Sequence, residues 1–407
     1  MKKLAFRAYF ALALAAVLSL GAVVFSITYF AKADDWVTFS GSPHVYSGAN
    51  LSVGYVDDRG GSRLLDATSG RVYADNAQTR ASTMHLLGDR YGYISAPLLG
   101  NFAEQMIGYD KINGLYTLRE EYSTATLSIS SEVQNAALEA LAGRRGTIGI
   151  YNYKTGEILC AVTAPSYDPD SMPDVESDTT GAYTGVYLNR FFDVTYTPGS
   201  IFKVLTAAAA IENIPDIGTR SFQCGGTNIL GGQKIVCEGV HGTINFQNGL
   251  AYSCNNVFGE IAAELGGKTL QKYAEKAGLT GSLSCDGYHT AAGRVDLRGA
   301  GDGDVAWAGI GQYTDQVSAY AFMRFMGVIA GGGEAAEPYL MASIQKGEKT
   351  TYTAGRTSTG RVLEADTAKT LASMMRYDVE QVYGAWQFGS LNVCAKSGTA
   401  ELEGQTA

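Results

Sequence analysis

A chain of 407 residues is long enough for two domains and an anchor. Its 31 basic and 40 acidic side chains leave a formal net charge of −9, which argues against a nucleic-acid partner, since such partners are met by a basic face. Only four histidines occur, His44, His85, His241 and His289, and no Gly-x-Ser-x-Gly elbow accompanies them, so a Ser-His-Asp triad has no support.

Met1-Lys2-Lys3 and Arg7 precede an uncharged, mostly apolar run from Ala8 to Ala31, about the length of one membrane-spanning helix. Basic residues in front and Asp34 and Asp35 behind place the N-terminus in the cytoplasm and the bulk of the chain outside. Ala31-Lys32-Ala33 resembles a signal-peptidase site, but the run is longer than a signal-peptide core, which favours an uncleaved anchor over residues 1–33. Residues 34–125 are rich in Tyr and Gly with short apolar runs, and read as a small, irregular, partly β pedestal. The remainder, 126–407, reads as the functional domain.

That domain opens on Ser130-Ser131-Glu132-Val133-Gln134, a capped helix start with apolar positions at Ala137, Leu138 and Leu141. Two strands, Thr147–Tyr151 and Glu157–Thr163, form a hairpin, and Pro165 to Tyr183 is a polar loop. Thr197-Pro198-Gly199 then turns the chain into a helix expected to begin at Ser200. From Val204 to Ile211 this helix is apolar on almost every side, as a helix central to a large domain would be. Lys203 lies one turn beyond Ser200 on the same face. Burial there lowers a lysine pKa, so the pair reads as a serine nucleophile with a lysine base. A second Ser-x-x-Lys, Ser343-Ile344-Gln345-Lys346, sits in a polar stretch without a helix start.

Gly-rich turns and short strands fill Phe222 to Val236. Ser253-Cys254-Asn255 links a short helix, Phe246–Tyr252, to one with Val257, Phe258, Ile261, Ala262 and Leu265 on one face; a third runs from about Thr269 to Ala277. Asp315–Ile329 and Ala365–Met375 read as further helices. Leu391 to Leu402 alternates like a strand.

Ser200-Ile201-Phe202-Lys203, Ser253-Cys254-Asn255 and Lys396-Ser397-Gly398-Thr399, in this order, resemble the three motifs of penicillin-binding proteins and serine β-lactamases. Lys154-Thr155-Gly156 and Ser390-Leu391-Asn392 are literal decoys: one precedes the nucleophile, the other abuts the third motif. Tyr153 to Leu159, Pro165 to Pro169, Asn189-Arg190 and Ala308 to Gln312 resemble the framework of high-molecular-weight, class B penicillin-binding proteins, from about Asp57 onward. The resemblance implies an α/β (α+β) fold of the penicillin-binding protein/serine β-lactamase type, an antiparallel sheet with a helical subdomain. Family domains continue past the third motif with strands and a helix, whereas little follows Glu403 here, so the expected domain is incomplete at its C-terminus.

By the same resemblance the activity is peptidoglycan D,D-transpeptidation on D-alanyl-D-alanine stem peptides, with β-lactam antibiotics binding covalently. Ser200 is then the nucleophile, Lys203 its base, Ser253 the proton relay, Asn255 a substrate-amide ligand and Lys396 a positive charge beside them. Ser397, Gly398 and Thr399 line the substrate carboxylate, with backbone N–H groups of Ser200 and Thr399 as the oxyanion hole. The partners implied are the cytoplasmic membrane and a membrane glycosyltransferase, and no cofactor. Rival readings are a D,D-carboxypeptidase or β-lactamase-like hydrolase, and a non-enzymatic β-lactam sensor or scaffold. Cys224, Cys237, His241 and Cys254 fall between the first two motifs, and three readings stay open: a Cys224–Cys237 disulfide, a closed Cys3His zinc site behind the Ser253 loop, or plain small apolar residues. Cys160, Cys285 and Cys394 read as buried and inert.

Overall fold

The computed structural model describes residues 2–39, 41–43, 45–107, 109–116, 122–402 and 405–406; Met1, His44 and Glu403, named above, lie outside them. The apolar N-terminal run is one helix, Lys2–Val37, whose 36 residues span roughly 54 Å at 1.5 Å per residue. It is long and apolar enough to cross a membrane by length and composition. Its large side chains stay exposed, Leu12 at 72%, because only its base touches the rest of the chain, where the Tyr29 hydroxyl donates to Lys111 O at 3.0 Å.

A six-stranded sheet follows in the order Lys349–Thr353, Met341–Lys346, Ser123–Leu127, Tyr55–Asp57, Arg63–Asp66, Val72–Tyr73. Neighbours are antiparallel except Tyr55–Asp57 beside Ser123–Leu127, which run parallel. In Ser123–Leu127 burial alternates, so Ala125 and Leu127 face a core shared with Val56, Leu65 and Ile344. The domain boundary expected after residue 125 falls inside this strand. Its pairing on both sides makes pedestal and downstream chain one sheet. The Arg80 guanidinium adds a two-pronged clasp on Asp168, at 2.7 and 2.6 Å.

The expected hairpin is present as Gly146–Tyr151 and Ile158–Ala164, with the decoy Lys154-Thr155-Gly156 in its turn. The helical body gathers around Lys203–Asn213, of which residues 203–210 are all buried. Its Leu205 packs into a core that includes Phe202, Phe258, Ile261, Ala306 and Leu371. Closing a helix in on every side leaves no polar face, and this is why the run after Lys203 is so uniformly apolar.

Several elements differ from expectation. The segment at Ser200 is a 3-10 turn, Gly199–Phe202, with the α-helix beginning only at Lys203. Ser200 makes no cap bond because its hydroxyl is turned toward Lys203 instead. The two helices expected after Ser253 are both present within Asn255–Lys276, parted by a kink at Gly266, whose φ of 74° a glycine adopts without Cβ strain. Residues 391–400 do not form the expected strand. Among the described residues no strand pairs with them, so the alternation joins no ladder; contacts such as Ala395 N to Met375 O at 3.2 Å fasten them. Cys394 is exposed rather than buried, and all six cysteines are free, so no Cys224–Cys237 bridge is formed.

Candidate active site

Three backbone constraints bring the motifs together. Gly199 has φ 55°, and a Cβ there would lie 2.3 Å from Thr399 O, so the third motif can rest against the nucleophile turn only over a glycine. Its N–H donates to Gly311 O at 2.8 Å, fixing the turn from the other side. Ser253 is held at φ 55°, an unusual conformation for a residue with a Cβ that costs on the order of 1–3 kcal/mol and persists only where the surroundings impose it. The linker between the helices Phe246–Ala251 and Asn255–Lys276 imposes it, and the turn aims Ser253 back at Lys203.

Lys203 is fully buried, and its Nζ lies 2.9 Å from Ser200 Oγ, 3.1 Å from Ser253 Oγ, 2.7 Å from Ser253 O and 2.6 Å from Asn255 Oδ1. The last two oxygens can only accept, because Asn255 Nδ2 is committed to Val236 O at 2.7 Å and so fixes the amide orientation. They take two N–H bonds of the amine. The third tetrahedral position faces two hydroxyls, Ser200 Oγ at 2.9 Å and Ser253 Oγ at 3.1 Å, so the ammonium form donates to this pair and the neutral form turns its lone pair toward it. Burial first, and the Lys396 charge second, pull the Lys203 pKa down to about 7, so the neutral amine is populated near neutrality.

Lys396 closes the other side, with Nζ 3.1 Å from Ser253 Oγ and 2.8 Å from Ser397 O. Burial lowers its pKa to about 8, against the opposing carboxylates of Asp378 and Glu238. The Ser253 hydroxyl therefore bridges two amines that burial disfavours as cations, an arrangement able to pass a proton. Ser397 and Thr399 are exposed at the cleft, and Gly398 packs on the nucleophile turn, where a Cβ would meet Ile201 Cγ2 at 2.9 Å. Ser200, Asn255 and Thr399 line a cavity of about 180 Å³ together with Glu238, Trp307 and Gln312.

All eight residues singled out from the sequence thus gather at one cleft. The decoy Ser343 and Lys346 lie on a strand of the six-stranded sheet instead, spaced so that their side chains fall on opposite faces. Sequence reasoning missed Tyr383, whose hydroxyl oxygen accepts Ser397 N at 2.9 Å and lies 2.8 Å from Ser397 Oγ. It also missed Asp378, fully buried with neither carboxylate oxygen hydrogen-bonded, and raised to about 7 by burial despite Lys396. Glu238 and Trp307 at the cavity wall carry no local motif either.

Residues 146–407 match the family model described as the penicillin binding protein transpeptidase domain. Among curated proteins, peptidoglycan D,D-transpeptidase PbpA of Mycolicibacterium smegmatis is 28% identical over 306 residues, covering 67% of this chain; the chain spans about 60% of that relative's length. A D,D-transpeptidase domain from Eggerthella lenta superimposes with a TM-score of 0.74 at 23% identity, covering 87% of this chain and 88% of that one. The penicillin G acyl-enzyme of Mycobacterium tuberculosis penicillin-binding protein A has a TM-score of 0.70 at 22% identity, covering 86% of each chain.

Proposed function

The chain belongs to the penicillin binding protein transpeptidase family, and from that premise we propose that it is a peptidoglycan D,D-transpeptidase acting through a Ser200 acyl-enzyme. The observation that carries the reading is the surround of Lys203 Nζ, in which two acceptor-only oxygens leave the lone pair for the Ser200 and Ser253 hydroxyls, Ser200 being the nearer. Lys203 takes the Ser200 proton as Oγ attacks the carbonyl between the two terminal D-alanines. The oxyanion forms toward the backbone N–H groups of Ser200 and Thr399, both on the cavity wall.

Ser253, between Lys203 and Lys396, hands its proton to the departing D-alanine amine and takes in exchange the one Lys203 received from Ser200, leaving the ester on Ser200. Lys396 and the Ser397 and Thr399 hydroxyls hold the substrate carboxylate. The amine of a second stem peptide then displaces Ser200 and completes the cross-link. A β-lactam enters the first half of this sequence and stops at the ester, which is the state the M. tuberculosis relative was crystallised in. The Lys2–Val37 helix anchors the chain in the cytoplasmic membrane, with the catalytic region outside and a membrane glycosyltransferase as the source of glycan strands.

The test is a fluorescent penicillin on the purified full chain, with Ser200→Ala alongside and the adduct located by mass spectrometry. A stable adduct on Ser200, absent in the variant, is expected; no adduct on Ser200 in folded protein refutes the reading. Offering D-alanyl-D-alanine peptide with and without an amine acceptor separates transpeptidation from hydrolysis and from a non-catalytic sensor.

A further inference from the structure

Behind the cleft, Cys224, Cys237, His241 and Cys254 bring one potential ligand atom each to a single point, all four within 4.8 Å of one another. They come from separate places. Cys224 ends the strand Ser221–Cys224, whose partner strand begins just after His241; Cys237 follows the strand Gln233–Val236; and Cys254 precedes the helix Asn255–Lys276. The three cysteines are buried and His241 is half-buried.

A tetrahedron with bonds of about 2.3 Å to sulfur and about 2.0 Å to nitrogen has sulfur–sulfur edges near 3.8 Å and sulfur–nitrogen edges near 3.5 Å. The separations here are 3.8 Å for Cys237 Sγ to Cys254 Sγ, 3.4 Å for Cys224 Sγ to His241 Nδ1, and 3.6 Å for Cys237 Sγ to His241 Nδ1. A disulfide would need sulfurs at about 2.05 Å, and apolar packing does not explain an imidazole nitrogen aimed at two sulfurs. Cys237 Sγ also accepts the Asn255 N–H at 3.4 Å, an arrangement that favours thiolate over thiol.

We propose that these four side chains hold a structural zinc ion, and that this ion is what keeps the second motif in register. The ligation itself does not depend on the catalytic reading; its consequence for Ser253 rests on it. Cys254 lies between Ser253 and Asn255. Cys237 adjoins Val236, whose carbonyl accepts Asn255 Nδ2 at 2.7 Å. An ion bonded to both sulfurs locks the hairpin to the linker, holding Ser253 in its left-handed turn and Asn255 Oδ1 against Lys203. All four protein ligands are used, so the ion is closed to substrate and its part is positional.

The experiment measures zinc in full-length protein purified in detergent without chelator, then exchanges it for Co2+ and records the visible spectrum. About one zinc per chain and the thiolate charge-transfer and d–d bands of tetrahedral cobalt are expected. Both should fall at least fivefold in Cys224→Ser, which lies outside the three motifs. Should that variant not fold, the cobalt spectrum of the unaltered chain decides alone. Less than a tenth of a zinc per chain with no cobalt bands, or a disulfide among these cysteines in the mass spectrum, overturns the assignment. For the positioning role, stripping zinc with a chelator should slow penicillin acylation at least tenfold, and added zinc should restore it; unchanged acylation in zinc-free protein overturns that role. Zinc and cobalt bands in Ser200→Ala, which cannot be acylated, would support the metal site independently of the chemistry.

Discussion

The most direct perturbation of the base is to remove the charge beside it. Lys203 Nζ and Lys396 Nζ each lie 3.1 Å from Ser253 Oγ, so the two nitrogens are at most about 6 Å apart. At an effective dielectric constant of about 20, two unit charges at that distance repel by about 3 kcal/mol, or about 2 pKa units. Acylation by the unaltered chain should follow the neutral fraction of Lys203, rising about tenfold per pH unit below 7 and levelling above it. In Lys396→Met the repulsion is gone while burial remains, so the rising limb should move up by about 1–2 pH units. Under the proposed mechanism the plateau falls as well, because Lys396 holds the substrate carboxylate there, but the limb's position is separable from its height. Stopped-flow acylation with a chromogenic β-lactam between pH 5 and 9.5 measures both. A limb that stays at 7 or moves down would refute the account of Lys203 as a base depressed partly by Lys396.

Asn255→Leu removes an acceptor-only partner of Lys203 and the tie to Val236; acylation should fall by about 100-fold, the usual scale for disabling a positioned base, with the melting temperature changed by only a few degrees. Gly199→Ala places a Cβ 2.3 Å from Thr399 O at φ 55°, so it should cost at least about 1–2 kcal/mol in urea unfolding and abolish penicillin labelling; wild-type labelling would contradict the packing. Tyr383→Phe deletes the hydroxyl that holds Ser397, and should raise KM for a peptide ending in a carboxylate about tenfold while leaving kcat within a factor of a few. Asp315, buried without a partner, has its carboxyl raised to about 9 by burial. The folded state therefore holds a proton that the unfolded state has released between about pH 4 and 9, and stability falls as pH rises through that window. Asp315→Asn should flatten this slope, gaining a few kcal/mol more at pH 8 than at pH 5 in denaturant titrations.

The chemistry was legible because the three motifs are local. Ser200 and Lys203 are one helical turn apart, Ser253 and Asn255 flank one residue, and the four residues from Lys396 are contiguous, so each group is brought together by short-range geometry whatever the rest of the chain does. The apolar N-terminal helix and the buried helix after Ser200 were legible for a similar reason: a helix without a polar face leaves an unbroken apolar run in the sequence. Several other features depend on residues distant in sequence. The strand Ser123–Leu127 belongs to pedestal and domain alike because Tyr55–Asp57 and Met341–Lys346 come to its two edges. Residues 391–400 alternate as a strand should, yet the described chain offers them no ladder, and β-structure is completed only by a partner. Tyr383, Asp378 and Glu238 carry no motif because their effect on Ser397 and Lys396 acts through space. The depressed pKa of Lys203 has the same origin: the sequence places the lysine beside the serine, but the tertiary packing removes the water and sets a second amine across Ser253, and those two effects populate the neutral amine near pH 7.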